Sequence, residues 1–92
     1  MELGGNITLQ GFDAVDPATL IVVKKIVGNY TKRLTEKHED FTGLHLELTQ
    51  KEGKQLQICA KCQRTSGNNE TKHDEDNLFF ALSGALDAIL AL

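Results

Sequence analysis

Polar and apolar residues alternate in three stretches of the chain. In residues 6–12, NITLQGF, Ile7 and Leu9 fall on one side while Asn6, Thr8 and Gln10 fall on the other. In residues 44–50, LHLELTQ, the side chains of Leu44, Leu46 and Leu48 oppose those of His45, Glu47 and Thr49. In residues 55–63, QLQICAKCQ, Leu56, Ile58, Ala60 and Cys62 oppose Gln55, Gln57, Cys59, Lys61 and Gln63. A period of two marks a strand with one dry face and one wet face. KEGK, Lys51–Lys54, separates the last two runs and offers Gly53 for a positive φ, so they read as a β-hairpin. A further short strand is expected at about Glu70–His73, after a loop over residues 64–69.

The period changes to that of a helix twice. Leu20, Val23, Val27, Tyr30 and Leu34 recur at intervals of 3, 4, 3 and 4. Asp16 is a strong N-cap ahead of them, and Pro17 fits the first helical position, where a missing N–H costs nothing. Val15 and Leu20 have the spacing of a hydrophobic staple. This helix is expected to run to about Lys37, before a loop over His38–Gly43. The second helical stretch is DNLFFALSGALDAILAL, Asp76–Leu92, whose polar residues after Asp76 are Asn77, Ser83 and Asp87. The carboxylates of HDED, His73–Asp76, are expected at its N-terminal end, where the macrodipole favours them.

The order β-α-β-β-β-α, with every strand wet on one side, implies an α+β two-layer sandwich. It has a mostly antiparallel sheet, two helices on one face and an open polar face. With 92 residues, the chain reads as one domain over 1–92. A helix on a surface normally carries a polar face. The last helix has almost none, so part of it lacks a partner even after packing on the sheet. Leu78, Phe80, Ala81 and Ala88 are the candidates for an interface, with a second copy of the chain or another protein.

Charge then narrows the function. The net charge is −3, whereas nucleic-acid binders usually carry a basic excess. The cations are unevenly spread, however. Lys24, Lys25, Lys32, Arg33 and Lys37 fall in the first helix with Glu36 as the one acid among them. At 100° per residue, Lys25 and Lys32 lie nearly opposite the apolar stripe, flanked by Lys24 and Arg33, while Lys37 borders the core side. Such a face meets phosphate oxygens without reading sequence. Lys54 and Lys61 are secondary candidates for the same contact.

Catalytic and metal chemistry find little support. Cys59-Ala60-Lys61-Cys62 is a CxxC, but structural zinc needs four ligands, and a second CxxC is absent. On a strand, the two sulfurs point to opposite faces. A small enzyme or metal site around Cys59, Cys62 and His73 is therefore the weakest alternative. His45 beside Glu47 sits on a wet sheet face with no signal of a cleft. No nucleophile elbow, P-loop or dinucleotide fingerprint occurs. No catalytic residue, metal ligand or cofactor is expected. Residues 1–15 lack the basic start and apolar run of a signal peptide, and no apolar stretch reaches the ~18 residues of a membrane span. A cytoplasmic chain with reduced thiols and no membrane partner is the expectation.

Taken in order, these elements resemble the ribosome hibernation promoting factor family, also called ribosome-associated inhibitor or protein Y. Asn6-Ile7-Thr8 matches the family's opening N-I-T strand, and Val15-Asp16-Pro17-Ala18 is similar to its V-T-D-A helix cap. His73-Asp74-Glu75-Asp76 stands where H-E-D precedes the family's last helix. The run Leu78–Ile89 keeps that helix's apolar frame, with Asp87 on its second Asp. The resemblance implies a non-catalytic factor that binds the rRNA of the small ribosomal subunit and blocks translation on idle ribosomes. Its basic contacts here would be Lys24, Lys25, Lys32 and Arg33, with Lys54 and Lys61. Family lysines of the first helix meet Ile26 and Asn29 here, so Lys24, Lys25 and Lys32 would substitute as a patch. The double-stranded RNA-binding domain has a similar layout but carries lysines where this chain has HDED.

Overall fold

The computed structural model describes residues 2–3 and 6–92. Its elements are β1 (Glu2–Leu3), β2 (Ile7–Gln10), α1 (Pro17–Lys37), β3 (Phe41–Gln50), β4 (Leu56–Arg64), β5 (Gly67–Glu75) and α2 (Leu78–Ala91). The strands form one sheet in the order β1-β2-β3-β4-β5. β2 and β3 are parallel, and the other neighbours are antiparallel. Parallel neighbours need a long crossover, and α1 is that crossover. The expected α+β sandwich is therefore present, with β1 as an additional edge strand.

The alternation read from the sequence fixes which face is covered. Leu9, Leu44, Leu46, Ile58, Ala60 and Cys62 are buried beneath the helices. α1 contributes Val23, Val27 and Leu34 to this core, and α2 contributes Ala81, Leu82, Ala85, Leu86 and Ile89. Phe12, just past β2, is fully enclosed. On the other face, Thr8, His45, Lys61 and Glu70 form one cross-strand row, and Gln10, Glu47, Cys59 and Lys72 form the next.

The local signals at the start of α1 act as anticipated. Asp16 caps the helix by accepting from the Thr19 backbone N–H at 3.1 Å and from the Thr19 hydroxyl at 2.6 Å. These bonds hold its carboxyl below the usual carboxylate range. Val15 and Leu20 both pack against the core. Gly53 takes φ +71 in the hairpin turn, the left-handed region that favours glycine.

Three expectations need correction. β5 extends over Gly67–Glu75 rather than Glu70–His73, and the anticipated loop over 64–69 shrinks to a tight turn at Thr65-Ser66. Pairing with β4 runs unbroken from Arg64↔Gly67 to Leu56↔Glu75, so backbone hydrogen bonds hold a strand that its own polar side chains do not announce. β3 likewise begins at Phe41 rather than Leu44, with an irregularity between Phe41 and Gly43. Finally, His73, Asp74 and Glu75 belong to β5, and no acidic residue lies in the first turn of α2. Asn77 caps that helix instead, accepting from the N–H groups of Phe79 and Phe80 at 2.9 and 3.2 Å.

Because β2, β3 and β5 run in the same direction, α1 and α2 leave the same end of the sheet and lie side by side, pointing the same way. Two side-chain hydrogen bonds among the described residues join them. The Tyr30 hydroxyl donates to Asp87 Oδ1 at 2.5 Å, and Lys37 Nζ donates to the carbonyl of Leu90.

Candidate nucleic-acid interface

The first helix concentrates the molecule's positive charge. Five of the ten cations and one of the thirteen acids lie within it, so α1 carries +4 while the rest of the chain carries −7. Lys24, Lys25, Lys32 and Arg33 are all exposed on the side of α1 away from the sheet. Among the described residues, the side chains of Lys24, Lys25 and Lys32 have neither an ion pair nor a hydrogen bond. An unpaired ammonium keeps its full charge for an anion that arrives. Lys37 differs from these, since its ammonium is engaged with the end of α2.

The structure does not gather all six predicted cations. Lys54 lies in the β3–β4 turn, outside the helix face. Lys61 lies on the open face of the sheet, on the opposite side from α1, with its ammonium 3.9 Å from Glu70. Lys72 is there too, 4.0 Å from the same carboxylate. With Glu47 and Asp74 also on that face, the sheet surface carries no positive excess. Lys24, Lys25, Lys32 and Arg33 thus stand on the helix side, away from the acids of the open sheet face.

Arg33 is the cation with a platform. Its guanidinium carbon sits 5.3 Å from the centroid of the Tyr30 ring, within the range where the ring's quadrupole attracts a cation. The Tyr30 hydroxyl pKa is raised, chiefly because it donates to Asp87 and secondarily through burial. Nothing local in the sequence joins Tyr30 to Asp87, 57 positions later, and this contact was not foreseen.

The predicted interface on α2 divides. Ala81 is fully buried and so unavailable to a partner, while Leu78 is half-buried and packs in part against the core. The helix turns Ala81 toward the sheet beside Leu82 and Ala85, whose burial leaves the other flank outside. Phe80, at 66% exposure, and Ala88 and Ala91 are on that flank. Ile21 and Val22 of α1 add apolar surface, at 57% and 45% exposure.

The cysteine and histidine alternative separates completely. Cys62 is buried under the helices, whereas Cys59 lies on the open sheet face, donating from Sγ to Glu70 Oε1 at 3.3 Å. Burial is the main cause that raises both thiol pKa values, so neither is an activated thiolate. His73 lies opposite Ile58 in the register and packs against Gly84 of α2, with Nε2 3.2 Å from Glu75. His45 Nε2 lies 3.2 Å from the Gln10 side-chain oxygen, not against Glu47. Among the described residues, no group of three or more potential ligands is placed to hold a metal ion, and no cleft opens. No helix among them is long and apolar enough to cross a membrane.

No family model matches the chain, and no curated protein matches it by sequence. Solved structures do match. One is a ribosomal subunit interface protein from Coxiella burnetii, at TM-score 0.62 and 12% identity, covering 94% of this chain and 88% of that one. Another is the Protein Y N-terminal domain from Thermus thermophilus, at TM-score 0.68 and 14% identity, covering 99% of this chain and 93% of that one. At such identity the likeness establishes the shared fold across nearly the whole chain.

Proposed function

We propose that this chain is a non-catalytic ribosome-associated factor of the hibernation type, acting in the cytoplasm. It binds the rRNA of the small ribosomal subunit through the outer face of α1 and blocks translation on idle ribosomes by occupying space that translation needs. The observation that carries the reading is the unpaired cationic face of Lys24, Lys25 and Lys32, with Arg33, on a molecule that is otherwise anionic. The shared fold with a ribosomal subunit interface protein and with the Protein Y N-terminal domain supports the same partner. Lys54 and Lys61 contribute less, since one stands outside the face and the other lies beside Glu70.

Contacts of this kind are strongly salt-dependent. Neutralising about four phosphates lowers affinity by roughly a hundredfold between 50 and 200 mM salt. Co-sedimentation with purified small ribosomal subunits across a salt series tests this. The expected result is binding that weakens along that slope and is lost in the Lys25→Glu, Lys32→Glu double variant. Unchanged binding by that variant overturns the assignment of the surface, and absence of binding by the unmodified protein overturns the function.

The exposure of Phe80 favours a second reading, a protein contact centred on the outer flank of α2, including a homodimer. Light scattering on the protein and on Phe80→Asp separates it: a dimer that dissociates in the variant supports it, and a monomer in both cases removes the homodimer.

A further inference from the structure

We infer that Arg33 is the fixed anchor of the phosphate-binding face, held in place by Tyr30, which Asp87 pins from the second helix. This rests on the reading of α1 as an RNA-binding surface and goes further by ranking its cations. Lys24, Lys25 and Lys32 end in free ammonium groups on flexible stems, and each must lose rotamer freedom when it meets a phosphate. Arg33 has already lost much of that freedom. Its guanidinium lies over the Tyr30 ring at 5.3 Å from the centroid. The ring is itself held at its far end, because the Tyr30 hydroxyl donates to Asp87 Oδ1 at 2.5 Å. Further toward the C-terminal ends of the two helices, Lys37 donates to the Leu90 carbonyl.

The chemistry suits the task. A guanidinium stacked on a ring keeps its N–H groups directed outward in its own plane, where they match two oxygens of one phosphate. Asp87 forms no ion pair with Arg33 among the described residues; its Oδ1 accepts from the tyrosine hydroxyl, which leaves the guanidinium N–H groups unengaged by that carboxylate. Tyr30 and Asp87 are thus positioning residues: they act on RNA through the orientation of Arg33. Preorganisation of one long side chain is worth about 2- to 10-fold in affinity.

The experiment titrates purified small ribosomal subunits with the full chain and its variants at several salt concentrations. It is paired with NMR relaxation of the Arg33 Nε–H group in the RNA-free protein. Arg33→Lys preserves charge and is expected to weaken binding about 3- to 10-fold with an unchanged salt slope. Arg33→Ala is expected to reduce the slope by about one as well. Tyr30→Phe, which keeps the ring and loses the tie, should loosen the Arg33 Nε–H group and weaken binding by a smaller factor. Tyr30→Leu should weaken it as much as Arg33→Lys, yet add nothing in an Arg33→Ala background, which a merely structural role for Tyr30 would not produce. Wild-type binding that persists in Arg33→Lys overturns this inference and leaves the proposed function standing. A mobile Arg33 Nε–H group in the wild type overturns it as well. If the wild-type protein fails to bind subunits, both fall together.

Discussion

The two helices lie side by side on one sheet and are built on opposite plans. α1 buries four of its 21 residues along a narrow stripe and turns its lysines outward. α2 buries five of 14 and carries no basic residue in its last turn. The difference lies in how closely each backbone approaches the strands. On α2, Ala81, Gly84 and Ala85 bring the helix so near β5 that the Thr71 hydroxyl donates to the Ala85 carbonyl at 2.9 Å and the His73 ring lies against Gly84. On α1, Val23, Val27 and Leu34 hold the helix off with larger side chains, and its outer surface stays free for charge. One helix is fastened to the sheet, and the other is carried by it. Packing against the sheet thereby falls chiefly to α2, and the proposed recognition to α1.

That division is sharpest where one substitution has different consequences on the two helices. The largest effect is expected at the centre of the fastened helix: Leu86→Ala leaves a cavity in a fully enclosed site and should cost about 2–5 kcal/mol in urea denaturation. Glycine to alanine gives the cleanest contrast. A Cβ at Gly84 would run into the His73 ring, whereas a Cβ at Gly28 on α1 meets nothing. Gly84→Ala should therefore lose about 1–2 kcal/mol through overpacking. Gly28→Ala should gain about 0.5–1 kcal/mol from helix propensity, measured the same way. If the two changes have the same sign, the contrast is wrong.

On α1, Lys25→Glu with Lys32→Glu should change unfolding free energy by about 0.5 kcal/mol or less, while removing the salt-sensitive binding to ribosomal subunits. Loss of folding in that variant would mean that the outer face of α1 is structural after all.

The smallest effect concerns the connection that follows α1. Asp40 accepts from Arg64 Nε at 2.8 Å, from the Ser66 hydroxyl at 2.5 Å and from the Ser66 N–H at 3.2 Å, joining this connection to the β4–β5 turn. The Ser66 hydroxyl first, and Arg64 next, hold the Asp40 carboxyl well below its ordinary value of 3.8. A depressed carboxyl adds stability that is fully present above its unfolded value and is lost as pH falls through the folded one. Asp40→Asn should therefore be less stable than wild type at pH 7, and thermal melts should converge as pH drops below about 4. A gap that does not change with pH would separate Asp40 from acid sensitivity.

Much of the architecture was legible because its signals are local. The Asp16 cap, the Pro17 start, the 3-4 spacing to Leu34 and the alternation of Leu44–Leu48 each depend on neighbours a few residues away. β5 was foreshortened because GNNETKHDE carries little of its own strand character, and its partner β4 supplies the pairing. Within the candidate surface, the outward set of Lys24, Lys25, Lys32 and Arg33 followed from helical geometry alone. Lys61 did not join it, because hairpin alternation places that residue on the far side of the sheet. On the flank of α2, Ala81 turns out to face the strands, since a helix that is apolar all round does not declare which side meets them.

The sequence by itself determined where the chain turns, which strand faces are dry and that one helix holds half of the cations, because periodicity and capping act over a few residues. The tertiary structure decided how close α2 sits to β5, which of its side chains remain outside, and that Tyr30 meets Asp87 beneath Arg33. Those contacts join residues far apart in the chain, and their geometry exists only once both helices are packed on the same sheet.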